Sequence, residues 1–342
     1  MTPPQPQIGP EAAVAAAARS AQPRHVGLVI TALHDGGEAT HGAGLTRAGG
    51  SAPEATTMFQ IGSITKVFTA LLLADCAVRR EVTLDTTVTD CIPALAGTAA
   101  DDIALRHLAS HTSGLPRLPK GFIRQALRPR DDPYREFTTD DLLAGVAAAR
   151  RSRRTAPGRR VRYSNFGAAL LGEALSRRTG LPYDELVRAR VTDPLGLADT
   201  VVRPDPYQLE RKATGHSRRK RPVPDWDLGA MTGAGALYST PADLLTFLRA
   251  QLDPEETPLT EAFRLVQQPQ ATATRWLSVG LGWHLSPVRD VEGTSLWHNG
   301  GTGGFFSYLA LHPQARVGVV VLSNTARSVD RVGHQLLREL TR

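Results

Sequence analysis

A serine and a lysine three residues apart, Ser63-Ile64-Thr65-Lys66, stand at the head of an apolar stretch running from Val67 to Ala74. On a helix, residues at that spacing share a face, so the amine can approach the hydroxyl. A serine hydroxyl is a weak nucleophile until a neighbouring base takes its proton. Lysine can be that base only where burial or nearby positive charge keeps it partly neutral. The amino end of the helix adds backbone donors and positive potential where an oxyanion would form. A structural reading stands beside this one: Ser63 as a helix N-cap and Lys66 as a solvated first-turn residue.

The spacing alone does not choose between them. The chain holds four lysines, and a second copy of the pattern, Ser217-Arg218-Arg219-Lys220, lies in a polar, basic run with no helical periodicity behind it. That copy reads as coincidence. The first differs because Val67, Phe68, Leu71, Leu72, Leu73 and Ala74 recur as a buried helix would.

Two further segments could carry chemistry. Arg162-Tyr163-Ser164-Asn165-Phe166-Gly167 precedes an apolar helix. Its tyrosine can act as a phenolate base or relay a proton, and its asparagine can bond a substrate amide or a lysine. A plain helix start capped by Ser164 or Asn165 is the alternative. Trp297-His298-Asn299-Gly300-Gly301-Thr302-Gly303-Gly304-Phe305 reads as strand, histidine, then glycine run, where backbone can approach a ligand closely. A flexible hairpin loop is the alternative there. His107 and His111 stand four apart, but no Glu follows His107 and His111 falls in a Gly-Pro loop, so no metal site is expected. Ser63 also lacks the Gly-x-Ser-x-Gly elbow of α/β-hydrolases.

The elements that must position these groups follow from periodicity and turn residues. Val26 to Leu33 and Ala39 to Leu45 form a hairpin around Asp35-Gly36-Gly37. The Ser63 helix follows, then a helical segment from Ile103 to Ser110 and a Gly-Pro loop at His111 to Pro116. Helices are expected at Thr138 to Arg150, Phe166 to Thr179, Tyr183 to Val191 and Pro241 to Gln251, the last capped by Ser239-Thr240-Pro241. The final third turns to strands: Ser278 to Leu285, Gly293 to His298, Gly304 to His312 and Arg316 to Leu322. A helix from Ser328 to Leu340 ends the chain. The expected fold is α+β: an antiparallel sheet flanked by helices, built from both chain ends, with a mostly helical domain inserted. Residues 25–107 and 223–342 would form the sheet domain and 108–222 the helical one. Residues 1–24 would be a lead, partly disordered or helical.

The 342 residues suffice for a large core, and no apolar run approaches the ~20 residues of a membrane helix. The amino terminus lacks the basic and leucine-rich regions of a signal peptide, so a cytoplasmic location is expected, unless an export signal lies outside this sequence. Cys76 and Cys91 show no metal spacing, and their pairing stays open. The net charge of +7 is carried mostly by arginine, clustered at 117–130, 150–162 and 211–221. No recognition helix, aromatic platform or zinc spacing accompanies these clusters, so nucleic acid is not an expected partner.

Together the three segments resemble those of the serine β-lactamase and penicillin-binding-protein superfamily, in its class C-like branch. That family carries Ser-x-x-Lys, Tyr-x-Asn, and Lys-Thr-Gly or His-x-Gly on a sheet strand. Here they stand in order as Ser63-Ile64-Thr65-Lys66, Tyr163-Ser164-Asn165 and His298-Asn299-Gly300. Leu108 to Pro116, Tyr163 to Leu171, Pro194 to Leu197, Gly235 to Thr240 and Gly280 to Trp283 also look like family segments, and the likeness spans about residues 25 to 340. The resemblance implies an acyl-enzyme on Ser63 formed from a small ester or amide substrate, peptides included, with no cofactor and no metal. Lys66 and Tyr163 would share the proton transfers, Asn165 would orient Lys66 or the substrate, and the amides of Ser63 and Gly301 would form an oxyanion hole. His298, Asn299 and Gly300 would line the substrate. His298 and Asn299 replace the Lys and Thr that suit a substrate carboxylate, which favours ester or amide donors over β-lactams. Acyl transfer to an acceptor, or a silent ligand-binding homologue, are the competing expectations.

Overall fold

The computed structural model describes residues 10–119, 122, 132–150, 152 and 155–342. Its centre is an eight-stranded antiparallel sheet in the order β2-β1-β10-β9-β8-β7-β6-β5. The strands are β1 (Gly27–His34), β2 (Gly37–Gly44), β5 (Ala271–Thr274), β6 (Leu277–Val279), β7 (His284–Pro287), β8 (Thr294–Gly301), β9 (Phe306–His312) and β10 (Val317–Ser323). A separate pair, β3 (Phe59–Gln60) and β4 (Tyr238–Ser239), sits beside the Ser63 segment. The sheet is therefore built from both ends of the sequence and flanked by helices. The β1–β2 hairpin turns through Asp35 and Gly36, both at positive φ, which matches the twist of the strands it joins.

β10 is buried along its whole length and β9 nearly so, because helices cover both faces of the sheet centre. The period of two sends alternate side chains to different cores. Leu28, Ile30, Tyr308, Ala310, Val319 and Val321 meet the N-terminal helix Pro10–Ala21 and the C-terminal helix Asp330–Leu340. Val29, Leu309, Leu311, Val320 and Leu322 face the other way, into the core shared with the Ser63 helix (Thr65–Val78) and the helices Pro241–Leu252 and Thr260–Val266. Residues 10–21 of the expected lead are thus a packed helix, and residues 1–9 lie outside the described residues.

Between the two sheet-forming segments lie mostly helices. Thr139–Ala147 is opened by a capping box of Thr138 and Asp141. Asn165–Thr179 is opened by Ser164 and closed by Gly180 at φ 74°. The expected helix at Ile103 to Ser110 is only Leu105–Ala109.

Two strand expectations are corrected. Ser278 to Leu285 is not one strand but β6 and β7, broken at Gly280-Leu281-Gly282-Trp283. Gly282 takes φ 74°, and a Cβ there would lie 2.8 Å from the Lys66 carbonyl oxygen, so the break lets the chain rest on the lysine's own turn. The strand expected to end at His298 continues through Asn299, Gly300 and Gly301, which pair with Tyr308, Ser307 and Phe306. Cys76 and Cys91 are free and buried, and burial pushes their thiols up to about 12 and about 11. Among the described residues, no helix is long and apolar enough to cross a membrane.

Candidate functional site

Gly62–Ile64 forms a single 3-10 turn that leads directly into the helix at Thr65. Every residue of that helix from Thr65 to Cys76 is buried, Lys66 among them. Its Nζ lies 2.8 Å from Ser63 Oγ and donates to the Ala234 carbonyl at 2.6 Å. Burial, and then the charge of Arg117, hold the amine well below a lysine's usual range. A neutral amine at that distance can take the hydroxyl proton.

Tyr163 is placed by a loop clamp. Arg162 N donates to the His111 carbonyl at 2.7 Å, and Ser164 Oγ donates to the Pro116 carbonyl at 2.7 Å. Ser164 N donates to His111 Nδ1 at 3.3 Å, and Ser164 Oγ also accepts from Gly167 N at 2.8 Å as the helix cap. The expected Gly-Pro loop at 111–116 thus serves as a splint for the Tyr163 segment. The Tyr163 ring centroid is 5.0 Å from Lys66 Nζ. Burial pushes the phenol up to about 12, although Ser63 beside it favours the charged form. Tyr163 therefore rests protonated, whereas burial favours the neutral amine of Lys66. Asn165, the first residue of the next helix, lines the same cleft as Tyr134, and its buried Oδ1 has no hydrogen-bond partner among the described residues.

The third segment divides along β8. His298 is buried, with ring centroids 6.2 Å from Tyr163. Its Nδ1 lies 2.6 Å from the Asn299 carbonyl, which can only accept, so Nδ1 carries the proton and Nε2 is left a bare acceptor. Burial keeps this imidazole well below the usual histidine range, so it is neutral. Asn299 is not brought to Ser63 by its side chain. Adjacent strand residues point to opposite faces, and its Nδ2 donates to Asp330 Oδ2 at 2.9 Å on the C-terminal helix.

Gly300 and Gly301 come close to the Ser63 turn as backbone. A Cβ on Gly300 would fall 2.0 Å from the Ile61 carbonyl, and one on Gly62 would fall 2.7 Å from Gly301 N. Gly62 also sits at φ 52°. Ser307 Oγ donates to the Ile61 carbonyl at 2.8 Å and ties β9 to the same turn. With no side chain between them, the two backbones can present amides to one oxygen from two directions.

Several cleft residues escape sequence reading. Trp226, Leu228 and Met231 line it, and they come from segments with no motif, whereas Tyr134 ends the 117–134 stretch expected to wall the cleft. His284 stacks between Trp297, at 4.7 Å, and His298, at 5.1 Å. Burial and Lys66 lower it to about 4. His111 lies 4.5 Å from the Tyr163 ring and is likewise held neutral. Its place in the 111–116 loop was visible, but not its contact. These three histidines do not form a metal-binding group, and no such group occurs among the described residues.

Comparison with known proteins places the chain in a family. The profile of the Beta-lactamase family matches residues 13–341. The D-alanyl-D-alanine-carboxypeptidase/endopeptidase AmpH of Escherichia coli (strain K12) is 29% identical over 304 residues, 82% of this chain and 74% of that protein. Penicillin-binding protein 4 of Amycolatopsis lactamdurans is 30% identical over 298 residues, 82% and 75% of the two chains. Among solved structures, a class C beta lactamase from Rhodobacter sphaeroides superposes with a TM-score of 0.83 at 26% identity, covering 96% of this chain and 98% of that one. A family match over nearly the whole chain, on a class C fold, shows that the protein belongs to the β-lactamase family, in the class C-like branch of the serine β-lactamase and penicillin-binding-protein superfamily.

Proposed function

We propose that this family serine hydrolase works through an acyl-enzyme on Ser63, formed from an ester or amide substrate. The observation that carries the reading is the buried Lys66 amine, 2.8 Å from Ser63 Oγ and held below its usual range. Ser63 Oγ attacks the carbonyl carbon while its proton passes to Lys66 Nζ. The carbonyl oxygen, now negative, accepts from the amides of Ser63 and Gly301. As the tetrahedral intermediate collapses, Tyr163 gives its proton to the leaving group and is reprotonated from Lys66. Water then attacks the acyl group by the same route in reverse, and the acid product leaves. Asn165 orients the substrate or the lysine. No step calls for a cofactor.

The walls favour ester and amide donors, peptides among them, over β-lactams. Where penicillin-hydrolysing members carry a strand lysine, buried His298 is held below the usual histidine range and offers a substrate carboxylate no charge on the strand side. Asn299 is engaged with Asp330 rather than with the cleft. The relatives named as carboxypeptidase and penicillin-binding protein support including peptides. Acyl transfer to an alcohol or amine uses the same intermediate and is separated by product analysis with and without acceptors.

The test is labelling with an active-site-directed phosphonate, read by intact mass, beside a panel of p-nitrophenyl esters, a chromogenic β-lactam and D-amino-acid amides. Single labelling and ester or amide turnover, both lost in Ser63→Ala, are expected. No adduct on the wild type, or equal labelling of Ser63→Ala, would sink the acyl-enzyme. Efficient β-lactam turnover would overturn the substrate preference. A protein that binds polyanions with steep salt dependence and turns over no activated ester would be the silent homologue.

A further inference from the structure

We propose that Arg117 is the anion-recognising residue of the Ser63 cleft, so that preferred substrates carry a negative group near the scissile carbonyl. The inference rests on the acyl-enzyme reading above and adds the charge of its substrate.

Arg117 is built into the site rather than scattered on the surface. Its carbonyl accepts from Phe166 N at 3.2 Å, one residue after the Ser164–Pro116 bond. The arginine is thereby fixed to the segment that carries Tyr163 and Asn165. Its guanidinium carbon lies 5.6 Å from the Tyr163 ring centroid, while the residue stays exposed to solvent. An aromatic face holds a guanidinium by its plane and leaves the N–H edge free to fork onto a carboxylate or phosphate.

The buried basic groups packed around Tyr163 do not supply a positive charge. Lys66, His111, His284 and His298 are buried and held below their usual ranges. Arginine is a fixed charge. The position where penicillin-hydrolysing members carry a strand lysine offers only a neutral imidazole, and the acid nearby, Asp330, lies across the strand on Asn299. The positive pole of the cleft therefore sits on the loop wall.

No acidic side chain pairs with Arg117 among the described residues. Asp132, whose charge reaches Tyr134 along with that of Arg117, is occupied by Tyr134 N at 3.0 Å, Asp227 N at 2.6 Å and Arg135 at 3.6 Å. Arg124 and Arg128, of the same 117–130 basic cluster, lie outside the described residues.

The experiment compares esters that differ only in charge. Mono-4-nitrophenyl adipate is set against 4-nitrophenyl hexanoate, and 3-carboxy-4-nitrophenyl hexanoate against the same neutral ester, with spontaneous hydrolysis subtracted. The first pair places the carboxylate on the acyl side and the second on the leaving group. In Arg117→Gln, the ratio of kcat/KM for anionic over neutral ester is expected to fall roughly 10- to 100-fold in at least one pair. Arg117→Lys should keep most of the ratio and Arg117→Glu should push it lowest. A ratio unmoved in both pairs, with anionic and neutral rates falling together, overturns the proposal and leaves Arg117 a structural support for Tyr163. Affinities of the same esters for Ser63→Ala, with and without Arg117→Gln, are read in parallel by calorimetry. That arm separates failure of the nucleophile from failure of Arg117: lost turnover with a charge-selective affinity condemns only the former, and affinity blind to charge in both backgrounds condemns the latter.

Discussion

Ser63 to Lys66 and Ser217 to Lys220 share one tetrapeptide pattern in two surroundings. In the first, a helical turn sets the lysine beneath the serine, and helix packing leaves Lys66 only 3% exposed, its amine 2.8 Å from the hydroxyl. In the second, the chain turns back on itself: Ser217 N donates to the Arg221 carbonyl, and Lys220 sits at φ 61°. Ser217 Oγ accepts from Arg221 N, and Lys220 Nζ donates to the Pro23 carbonyl at 2.9 Å, in water. Spacing brings two groups into the same neighbourhood. Only in the buried helix does that proximity come with an amine held below its usual range, because desolvation disfavours the ammonium.

The sharpest way to break this contrast is to remove each serine. Ser63→Ala is expected to lower ester turnover by at least about 10⁴-fold, while Ser217→Ala leaves rate and phosphonate labelling unchanged. Comparable losses in both would erase the distinction. Exchanging the lysines probes the base itself. Lys66→Met should cost about 10²–10⁴ in kcat, and Lys220→Met should leave kcat where it is. In the wild type, kcat/KM should rise with pH through the depressed Lys66 value, because the deprotonated amine is the active form. An acid limb only near the usual lysine range would show that burial does not tune this amine.

Positive φ occurs in both segments and gives a smaller test. Gly62→Ala should lower kcat by about 10–10³-fold, since its Cβ would enter the space between Gly62 and Gly301 N. Lys220→Gly should change unfolding free energy by less than about 1 kcal/mol and leave turnover unaltered.

One property unites the two regions and sets acid stability. His284 beside the site and His25 beside Lys220 are both lowered to about 4, chiefly by burial, and His111 and His298 are lowered too. Their folded-state values lie below the unfolded ones, so between about pH 6.5 and 4 the unfolded chain binds more protons. Stability should therefore fall as pH falls through that window, by up to about 1.4 kcal/mol for each pKa unit of depression. Denaturant melts at pH 7 and 5 should show it. His284→Phe should flatten the slope, and an unchanged slope would place the buried proton uptake elsewhere.

Much of the fold was legible because it rests on local rules. The Asp35-Gly36 turn, the period-two strands, the caps at Ser164 and Thr240, and the apolar run after Ser63 each announce an element. The site was partly legible for the same reason, since Ser63, Lys66, Tyr163, Asn165 and His298 stand in recognisable segments. The misreadings came where a distant contact decides. Gly282 breaks a strand because it abuts the Lys66 carbonyl, and β8 continues past His298 because Ser307 and Phe306 lie opposite Gly300 and Gly301.

The order and type of the elements, and the residues able to do acyl chemistry, were thus determined by the sequence itself, through backbone preference, periodicity and side-chain inventory. The tertiary structure decided the rest. It set the Lys66 amine against Ser63 and the Ala234 carbonyl, turned Asn299 towards Asp330 by strand alternation, and gathered His111, His284 and Tyr134 around Tyr163. It also left Arg117 exposed above that ring. These outcomes depend on desolvation and on contacts between residues far apart in the chain, and neither is written in any short stretch of it.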